Sequence, residues 1–177
     1  MQVIDTKIDG VKVIQPTVFS DTRGFFMETF EKRRFQDMLD IDLDFVQDNY
    51  SRSSRGVLRG LHYQDIKPQG KLVRVVRGEV YDVAVDIRPD SPTFGKWEGI
   101  VLSEENKTQL WIPPGLAHGF VVLSEIADFE YKCTDYYSPE HERCLMWNDP
   151  DVGVAWPVRH PVLSEKDKNG KFLRELI

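Results

Sequence analysis

The sequence predicts an all-β fold in which short antiparallel strands form a sandwich, a closed barrel or a jelly roll, with a few short helices. Three observations favour this class. Short runs rich in Val, Ile, Phe and Tyr recur along the chain, breaks containing Pro, Gly or Asn separate them, and one segment shows helical spacing. Many short strands with a single early helix do not fit an alternating strand and helix arrangement.

The predicted strands extend over most of the chain. A strand over residues 11–19, interrupted at Pro16, and a second over residues 25–30 flank the turn-forming residues 20–24 and predict a hairpin. Further strands are predicted at residues 45–51, 55–64, 71–77, 80–87, 95–102, 108–112, 119–123 and 127–136. The breaks between them follow no regular interval, so we expect no internal repeat.

The clearest helix is predicted over residues 31–39. Its apolar residues Phe35, Met38 and Leu39 are three and four positions apart among charged residues, which places them on one helical face. We therefore expect helices to be a minor part of the fold.

The strand predicted at residues 80–87 carries two carboxylates. Val83 and Val85 alternate with Asp82 and Asp86, and alternating residues of a strand point to opposite faces. This pattern predicts a half-buried strand with its carboxylates on one face.

Tyr131 is predicted to point into the interior. It shares a face of its strand with Phe129 and Cys133, because side chains alternate between the two faces of a strand. A buried phenol needs a hydrogen-bond partner or a chemical role, so Tyr131 is either a packing residue or part of a site.

Length and composition predict one globular domain over residues 1–177. Charged residues make up 29% of the chain and hydrophobic residues 41%, which is typical of an ordinary globular protein and not of a disordered one. The formal net charge of −6 argues against nucleic acid as the main partner, although a local group of arginines can still bind a small anion.

The N-terminus and the two cysteines predict a reducing, cytoplasmic setting. Residues 1–7 carry charge where a signal peptide is apolar, and the sequence has no apolar run of the length that a membrane helix needs. Cys133 and Cys144 form no Cys-x-x-Cys pair and have no histidine at metal-ligand spacing. We interpret both as reduced packing thiols and predict no metal site.

The ten residues 55–64 contain several residue types that are typical of a functional site. Two glycines, Arg55, Arg59 and His62 lie in or beside an apolar strand-like run. Imidazoles change charge near neutral pH, so His62 is a candidate proton acceptor. On its own, the pattern is more typical of a buried histidine in a core.

Seven ordered segments along the chain resemble the dTDP-4-dehydrorhamnose 3,5-epimerase family. They are GFFME at 24–28, FVQDN at 45–49, VLRGLH at 57–62, GKLVR at 70–74, DVAVD at 82–86, SPTFG at 91–95 and WIPPGLAHGF at 111–120. The resemblance implies a cupin-type jelly roll that acts as a homodimer on a dTDP-sugar substrate, without a metal or redox cofactor. It also implies a place in the synthesis of dTDP-L-rhamnose for bacterial cell-surface polysaccharides.

The resemblance implies four catalytic residues. His62 matches the family's base, Asp167 its orienting partner, Lys71 the cation beside the enolate oxygen, and Tyr131 the proton donor on the other face of the sugar. Epimerisation next to a ketone needs two acid–base groups on opposite faces, and a cation at the developing oxyanion stabilises the transition state. Spacing alone favours another role for Asp167, since Ser164-x-x-Asp167 is typical of a helix cap.

Further positions match residues that line the family's ligand site. Arginine and lysine recognise diphosphates, and amides or carboxylates recognise polar parts of the base and sugar. The matching residues are Arg23, Glu28, Gln47, Asp48, Asn49, Arg59, His118, Glu142 and Lys166. Read without the resemblance, His118 is also a candidate loop anchor, and Glu142 lies in the poorly structured segment 139–143.

Strand alternation and the family resemblance place Arg59 and His62 differently. Period-two spacing places them on opposite faces, whereas the resemblance requires both to reach one ligand. A β-bulge at Gly60, or a ligand site that spans two faces or two subunits, would reconcile the two requirements.

Three other classes of function fit the sequence less well, and the first of them lacks its metal-ligand set. A metal-dependent cupin usually carries His-x-His, but Gly60 stands two positions before His62. A non-catalytic cupin that binds sugar nucleotides does not need His62, Tyr131 and Asp167 together. A related mono-epimerase or ketoisomerase on a dTDP-keto sugar would share the fold, the nucleotide site and the histidine.

Overall fold

The computed structural model describes residues 1–176 and confirms the all-β fold. Strands dominate these residues, and both α-helices are short. The strands are β1 Gln2–Asp5, β2 Lys12–Gln15, β3 Val18–Asp21, β4 Gly24–Met27, β5 Gln47–Ser54, β6 Leu58–Gln64, β7 Lys71–Arg77, β8 Glu79–Asp86, β9 Trp97–Ser103, β10 Gln109–Ile112, β11 Leu116–Val122, β12 Ile126–Cys133 and β13 Glu142–Cys144; the helices are α1 Lys32–Leu39 and α2 Glu165–Lys168.

Two antiparallel sheets and a separate hairpin make up the fold. The larger sheet has the order β1-β2-β10-β7-β12-β5, the smaller one β13-β6-β11-β8-β9, and β3 pairs only with β4. The sheets pack face to face: Val73 and Phe129 of the larger sheet share one buried cluster with Val80 and Phe120 of the smaller one. The rings of Phe120 and Phe129 stack with their centroids 4.2 Å apart. Each such ring contributes about 2 kcal/mol through burial.

The C-terminal part of the chain covers the outer face of the smaller sheet. Leu145, Val152 and Leu173 form a second buried cluster with Val83 and Val85 of β8. The strand predicted at 80–87 is therefore buried on both faces from Asp82 to Asp86, and the expectation of a half-buried strand was wrong. Alternation does not reveal this cover because it is supplied by irregular chain 60 or more residues away in sequence.

Helix α1 covers the outer face of the larger sheet. It begins one residue later than predicted because the Glu31 side chain accepts hydrogen bonds from the amides of Arg33 and Arg34 and so caps the first turn. Phe35 and Leu39 are buried in a third cluster that includes Trp111. Neither helix of residues 1–176 combines the length and apolar character needed to cross a bilayer.

The predicted strand over residues 11–19 is two strands in different parts of the fold. It divides at Pro16, which has no amide hydrogen for a sheet ladder. Strand β2 joins the larger sheet, whereas β3 forms the hairpin with β4. Phe19, Phe25 and Phe26 of this hairpin are 64%, 59% and 71% exposed, so the hairpin presents an aromatic surface to solvent.

Candidate active site

A cavity of about 340 Å³ lies between the two sheets and contains nine of the residues that the sequence singles out. The smaller sheet contributes Arg59 and His62 from β6, and the larger sheet contributes Lys71 and Tyr131 from β7 and β12. The predicted residues that line it are Gln47, Asn49, Arg59, His62, Lys71, His118, Tyr131, Glu142 and Lys166.

His62 and Asp167 form a hydrogen-bonded pair at the edge of this cavity. His62 Nε2 lies 2.5 Å from Asp167 Oδ1, and the histidine and aspartate side chains are 24% and 4% exposed. The contact fixes the plane of the imidazole ring and leaves Nδ1 as the nitrogen available for proton transfer. A buried carboxylate that orients a partly exposed imidazole is a common arrangement for a general base.

Asp167 serves the helix cap and the dyad at the same time. Its backbone N–H donates to Ser164 Oγ over 3.2 Å, and the Ser164 hydroxyl donates to Asp167 Oδ2 over 2.8 Å. Burial raises the pKa of Asp167, but the hydrogen bonds with His62 and Ser164 outweigh burial and hold this pKa below its usual value. The helix cap and the contact with His62 are therefore both present, because the cap uses the Asp167 amide and the contact with His62 uses the carboxylate.

A β-bulge at Gly60 brings Arg59 and His62 to the same cavity. His62 is opposite His118 and Arg59 is opposite Phe120. Strand β6 therefore advances three residues over the length in which β11 advances two. Gly60 has φ +137°, and a Cβ on it would lie 2.5 Å from Gly119 Cα. Arg59 Nε donates to Ser53 Oγ over 2.9 Å, which holds the guanidinium at the cavity. The bulge hypothesis for Gly60 is confirmed.

Lys71 places a buried ammonium next to the candidate base. The residue is 9% exposed, and its Nζ donates to the carbonyl oxygen of His62 over 3.5 Å. Burial lowers the pKa of Lys71, and Cys133, Asp82 and Glu142 oppose that effect. A buried ammonium with one protein acceptor has donor capacity left for a ligand oxygen in the cavity.

Tyr131 approaches the cavity from the sheet opposite His62. It lies on β12, packs beside Phe129 and lines the cavity, as the face assignment predicts. Burial, helped by the neighbouring Cys133 and Glu142, raises the pKa of Tyr131 to about 12. The phenol thus stays protonated and neutral throughout the physiological range.

His118 is a residue of the sheet and not a loop anchor. It lies on β11 directly opposite His62, and its Nε2 is 2.9 Å from Asp82 Oδ2. Asp82 is fully buried, and the His118 ring stacks on Phe129. Burial lowers the pKa of His118, which the adjacent carboxylate only partly offsets. A neutral imidazole held by a buried carboxylate therefore forms part of the cavity wall.

Glu142 belongs to a regular strand, so the expectation of a poorly structured segment was wrong. Its strand β13 pairs with β6, with Glu142 opposite Gln64. Glu142 accepts from Lys166 Nζ over 2.6 Å and from the Tyr137 hydroxyl over 2.7 Å. Burial raises the pKa of Glu142, but these two hydrogen bonds outweigh it and lower the pKa overall.

The segment 47–49 sends only its alternate residues to the cavity. Gln47 and Asn49 line it, and Gln47 Nε2 donates to Asn49 Oδ1 over 3.0 Å. The side chain of Asp48 points to the outer face of the sheet, where it pairs with Lys132 and is 71% exposed. Strand alternation explains the difference, and within one chain Asp48 does not reach the cavity.

Two further predicted residues lie outside the cavity of their own chain. Arg23 is in the turn of the exposed hairpin, where it pairs with Asp21 and its side chain is 88% exposed. Glu28 follows the hairpin and pairs with Arg34 of α1. The sequence segment that contains them therefore does not join the site within this chain.

Other cavity residues were missed by sequence reasoning. Ser51 follows Gln47 and Asn49 with the same period of two, so alternation contained the signal for it. Asp82, which holds the cavity residue His118 but does not line the cavity itself, was assigned to a strand face and not to His118. The remaining missed residues of the wall are Tyr63, Gln64, Gln69, Phe120, Phe129 and Tyr137, of which Gln69 and Tyr137 are loop residues without a pattern.

Both cysteines are free thiols, as predicted. Cys133 is buried on β12 and accepts a hydrogen bond from Asn49 Nδ2 at 3.6 Å. The Cys144 thiol lies beside the dyad, with Sγ 4.0 Å from Asp167 Oδ1. Burial, together with the adjacent Asp167 carboxylate, raises the pKa of Cys144 to about 12, so this thiol is a poor nucleophile.

Comparisons with known proteins agree with the fold and identify the family. A family model described as dTDP-4-dehydrorhamnose 3,5-epimerase matches residues 5–175. The chain is 58% identical over 172 residues to the dTDP-4-dehydrorhamnose 3,5-epimerase of Pseudomonas aeruginosa, covering 97% of this chain and 95% of that one. It is 59% identical over 172 residues to the protein of the same name from Neisseria gonorrhoeae. That match covers 97% of this chain but only 52% of the relative.

A solved structure gives the same result. The structure of dTDP-6-deoxy-D-glucose-3,5-epimerase from Legionella pneumophila Philadelphia 1, in complex with dTDP-4-keto-L-rhamnose, superposes with a TM-score of 0.96 at 55% identity. The match covers 99% of this chain and 96% of that one. With the family model spanning nearly every residue, the chain belongs to the dTDP-4-dehydrorhamnose 3,5-epimerase family.

Proposed function

We propose that this protein converts dTDP-4-dehydro-6-deoxy-D-glucose to dTDP-4-dehydro-L-rhamnose by inverting C3 and C5, in the synthesis of dTDP-L-rhamnose. One observation carries the proposal beyond family membership. His62, with its Asp167 partner, and Tyr131 reach one cavity from two facing sheets. A sugar ring placed between them meets a base on one face and a neutral acid on the other, which is what inversion at carbon requires.

The proposed reaction starts with proton removal next to the ketone. His62 Nδ1 takes the proton from C3 or C5, and the electrons of the C–H bond form an enolate whose oxygen is the former ketone oxygen at C4. Asp167 stabilises the imidazolium that results, because its carboxylate lies against Nε2. The Lys71 ammonium donates to the developing oxyanion, where a fixed positive charge lowers the barrier most.

Reprotonation from the other face completes each inversion. The Tyr131 hydroxyl gives its proton to the carbon while the enolate collapses to the ketone. Tyr131 then recovers a proton from solvent, and His62 releases the one that it took. The pKa of about 12 for Tyr131 keeps the phenol protonated before each turnover. The ketone of the substrate acidifies both carbons, so the same groups act at C3 and at C5.

The remaining cavity residues are assigned to the nucleotide and to the orientation of the sugar. Arg59 and Lys166 supply positive charge for the diphosphate, with Lys166 exchanging its contact with Glu142 for a phosphate oxygen. Gln47 and Asn49 offer amide groups, and His118 offers a neutral ring held by Asp82. These roles rest on their positions in the wall and on the charges that a dTDP-sugar carries.

We further propose that the active unit is a homodimer in which the hairpin β3–β4 serves the partner's cavity. Arg23 and Glu28 match the family's ligand positions, but in their own chain they lie outside the cavity. The hairpin exposes Phe19, Phe25 and Phe26, an aromatic surface that a second copy would cover. A dimer therefore accounts for the exposed surface and for the misplaced charges together. We also propose that the chain works as one domain in the cytoplasm, where nucleotide sugars are available.

Incubation with dTDP-4-dehydro-6-deoxy-D-glucose in deuterated water tests the proposal. We expect deuterium at both C3 and C5, detected by NMR and mass spectrometry, because each carbon loses its proton to the enzyme. Label at one carbon only would identify a mono-epimerase, and an isomerised keto group would identify a ketoisomerase. His62→Ala should abolish the exchange while binding of dTDP stays close to that of the wild type. Exchange that survives in His62→Ala would show that another group is the base.

A further inference from the structure

The dyad has a third potential metal ligand that the proposed reaction does not use. Side chains of His62, Cys144 and Asp167 converge so that one ligand atom of each lies within 4.8 Å of the others. They come from β6, β13 and α2, and the pairing of Cys144 with His62 across β6 and β13 fixes the thiol beside the imidazole. Sequence spacing gave no sign of this group, because its members are more than 20 residues apart in the chain.

The three donor atoms match the preferences of zinc. An imidazole nitrogen, a thiolate sulfur and a carboxylate oxygen are its ordinary protein ligands, and three protein ligands leave a fourth position open for water. One carboxylate and one thiolate neutralise the two charges of the cation, which lowers the cost of holding it in a partly buried place. Hard cations such as Mg²⁺ prefer sites made only of oxygen and fit this group poorly.

Small side-chain movements suffice to form the site. Ligand atoms on a tetrahedral zinc ion are separated by about 3.3 to 3.6 Å. At present Nε2 of His62 and Oδ1 of Asp167 are 2.5 Å apart, and Sγ of Cys144 is 4.0 Å from the same oxygen. The first pair has to open and the second has to close, each by less than about 1 Å. His62 lines the cavity, so the group lies directly next to the space that a ligand can enter.

We propose that zinc binds His62 Nε2, Cys144 Sγ and Asp167 Oδ1, and that it inhibits the enzyme by occupying the dyad. The Cys144 thiol loses its proton to solvent when the sulfur–zinc bond forms. The proton on His62 Nε2 moves to Nδ1 when Nε2 binds the metal, so the ring stays neutral. The nitrogen that would accept the substrate's proton is then already protonated. The binding claim stands alone, whereas the inhibition claim rests on the proposed function.

Cobalt and cadmium ions test the binding claim without substrate. A cobalt– or cadmium–thiolate bond gives a charge-transfer band in the ultraviolet, and we expect one such band per chain, titrated away by zinc. Cys144→Ser should remove the band and weaken zinc binding by at least about 10-fold, since a hydroxyl is a far poorer zinc ligand than a thiolate. Cys133→Ser is the matched control, because this buried thiol lies outside the group, and it should retain the band.

Binding without a thiolate band, or a band that survives in Cys144→Ser and disappears in Cys133→Ser, would overturn the assignment. Circular dichroism of both variants establishes that a lost band does not come from a lost fold. A titration of His62→Asn provides a second arm, because this variant keeps the thiol but should bind zinc more weakly than the wild type. Equal zinc affinity of His62→Asn and the wild type would also contradict the site.

Deuterium exchange at C3 and C5 tests the inhibition claim. Zinc should suppress exchange in the wild type and in Cys133→Ser at the concentration that saturates the spectroscopic site, and EDTA should restore it. Cys144→Ser should need at least about 10-fold more zinc for the same fractional loss. Equal zinc sensitivity of the two serine variants would refute the claim. A protein that binds zinc as expected but catalyses no exchange without it would leave the metal site standing and refute the proposed function.

Discussion

The contact between His62 and Asp167 decides which ring nitrogen is able to act on a substrate. Because Nε2 faces the carboxylate at 2.5 Å, the proton of the neutral ring stays on that nitrogen and Nδ1 keeps its lone pair. The same contact stabilises the ring when it becomes charged. Asp167 thus determines which nitrogen of the His62 ring is turned toward the cavity.

Asp167→Asn should lower kcat for the epimerisation by about 100-fold or more while leaving KM within a few-fold. The amide has the size of the carboxylate but does not stabilise the imidazolium. Deuterium exchange rates measured at saturating substrate give the effect on the base directly.

Ser164→Ala is the matched control for that change. It removes the helix cap and one hydrogen bond to Asp167 but retains the carboxylate. It should therefore lower the free energy of unfolding by about 1 kcal/mol and reduce kcat less than Asp167→Asn does. An equal loss of kcat in the two variants would indicate that Asp167 acts through the helix and not through His62.

Tyr131→Phe should separate proton removal from inversion. His62 still forms the enolate in this variant, but the opposite wall no longer offers a proton donor. We expect deuterium to enter the substrate with retention of configuration and epimerised product to fall by about 100-fold. NMR of the recovered sugar distinguishes label from inversion, and normal inversion without Tyr131 would assign the acid to another group.

Lys71 should set a limit on activity at high pH. Its protonated form is the one that stabilises the oxyanion, and burial lowers its pKa from the usual value near 10.5. Activity should therefore be present at neutral pH and decline as pH rises through this lowered pKa. Lys71→Arg should move the decline in kcat to higher pH, since guanidinium stays charged. An unchanged alkaline limb would exclude Lys71 as its source.

At the level of secondary structure, the bulge in β6 determines what the cavity contains. Without the extra residue, alternation would turn either Arg59 or His62 away from the space between the sheets. Gly60 and Gly119 lie against each other on neighbouring strands, so neither position has space for a Cβ. The two glycines set the separation of β6 and β11 at the point where both histidines enter the site.

Gly60→Ala should reduce the free energy of unfolding by about 3 kcal/mol or more, and should reduce activity in the protein that remains folded. The new methyl group meets Gly119 Cα at 2.5 Å in addition to the strain of φ +137°. Urea unfolding and exchange kinetics measure the two effects.

Gly56→Ala separates strain from collision. Gly56 also has a positive φ, +79°, but a Cβ there would meet no atom within 4 Å. This variant should lose about 1 kcal/mol and retain the activity per folded molecule. Similar losses of stability in both variants would argue that the close contact with Gly119 is unimportant.

Strand alternation predicted the elements of the fold better than their surroundings. It placed β7 at its observed bounds, assigned Tyr131 to the interior and flagged the Gly60 conflict that the bulge resolves. It failed for β8, because the cover over Val83 and Val85 comes from distant irregular chain. It also failed for Glu142, whose three-residue strand exists only because β6 is there to pair with it.

The site was predictable where chemistry and the family resemblance coincided. His62, Lys71 and Tyr131 all face the cavity, and Asp167 lies behind His62. Composition and spacing alone did not join these residues, which are brought together from four separate elements. Tyr137 and Gln69 had no pattern, since loop side chains follow no period. Cys144 had no signal either, because its neighbours are set by the sheet and not by the sequence around it.

At the level of the whole molecule, we expect the hairpin β3–β4 of one chain to contribute Arg23 to the site of the other chain. Mixed dimers of Arg23→Ala and His62→Ala chains should regain about half of the wild-type activity per dimer, because one of the two sites then receives both an intact Arg23 and an intact His62. Co-expression with two affinity tags isolates these dimers, and the two parent homodimers are the controls. Mixed dimers as inactive as their parents would show that Arg23 does not act across the interface.

If the hairpin completes the partner's site, the specific activity of the enzyme would also depend on the protein concentration. Diluted below the dissociation constant of the dimer, each chain would retain its base and its acid but lose part of its grip on the substrate. Activity per milligram would then fall with dilution and recover on concentration, and the unfolding temperature would follow the same course. Catalysis would then depend on the association of two chains through the exposed phenylalanines Phe19, Phe25 and Phe26.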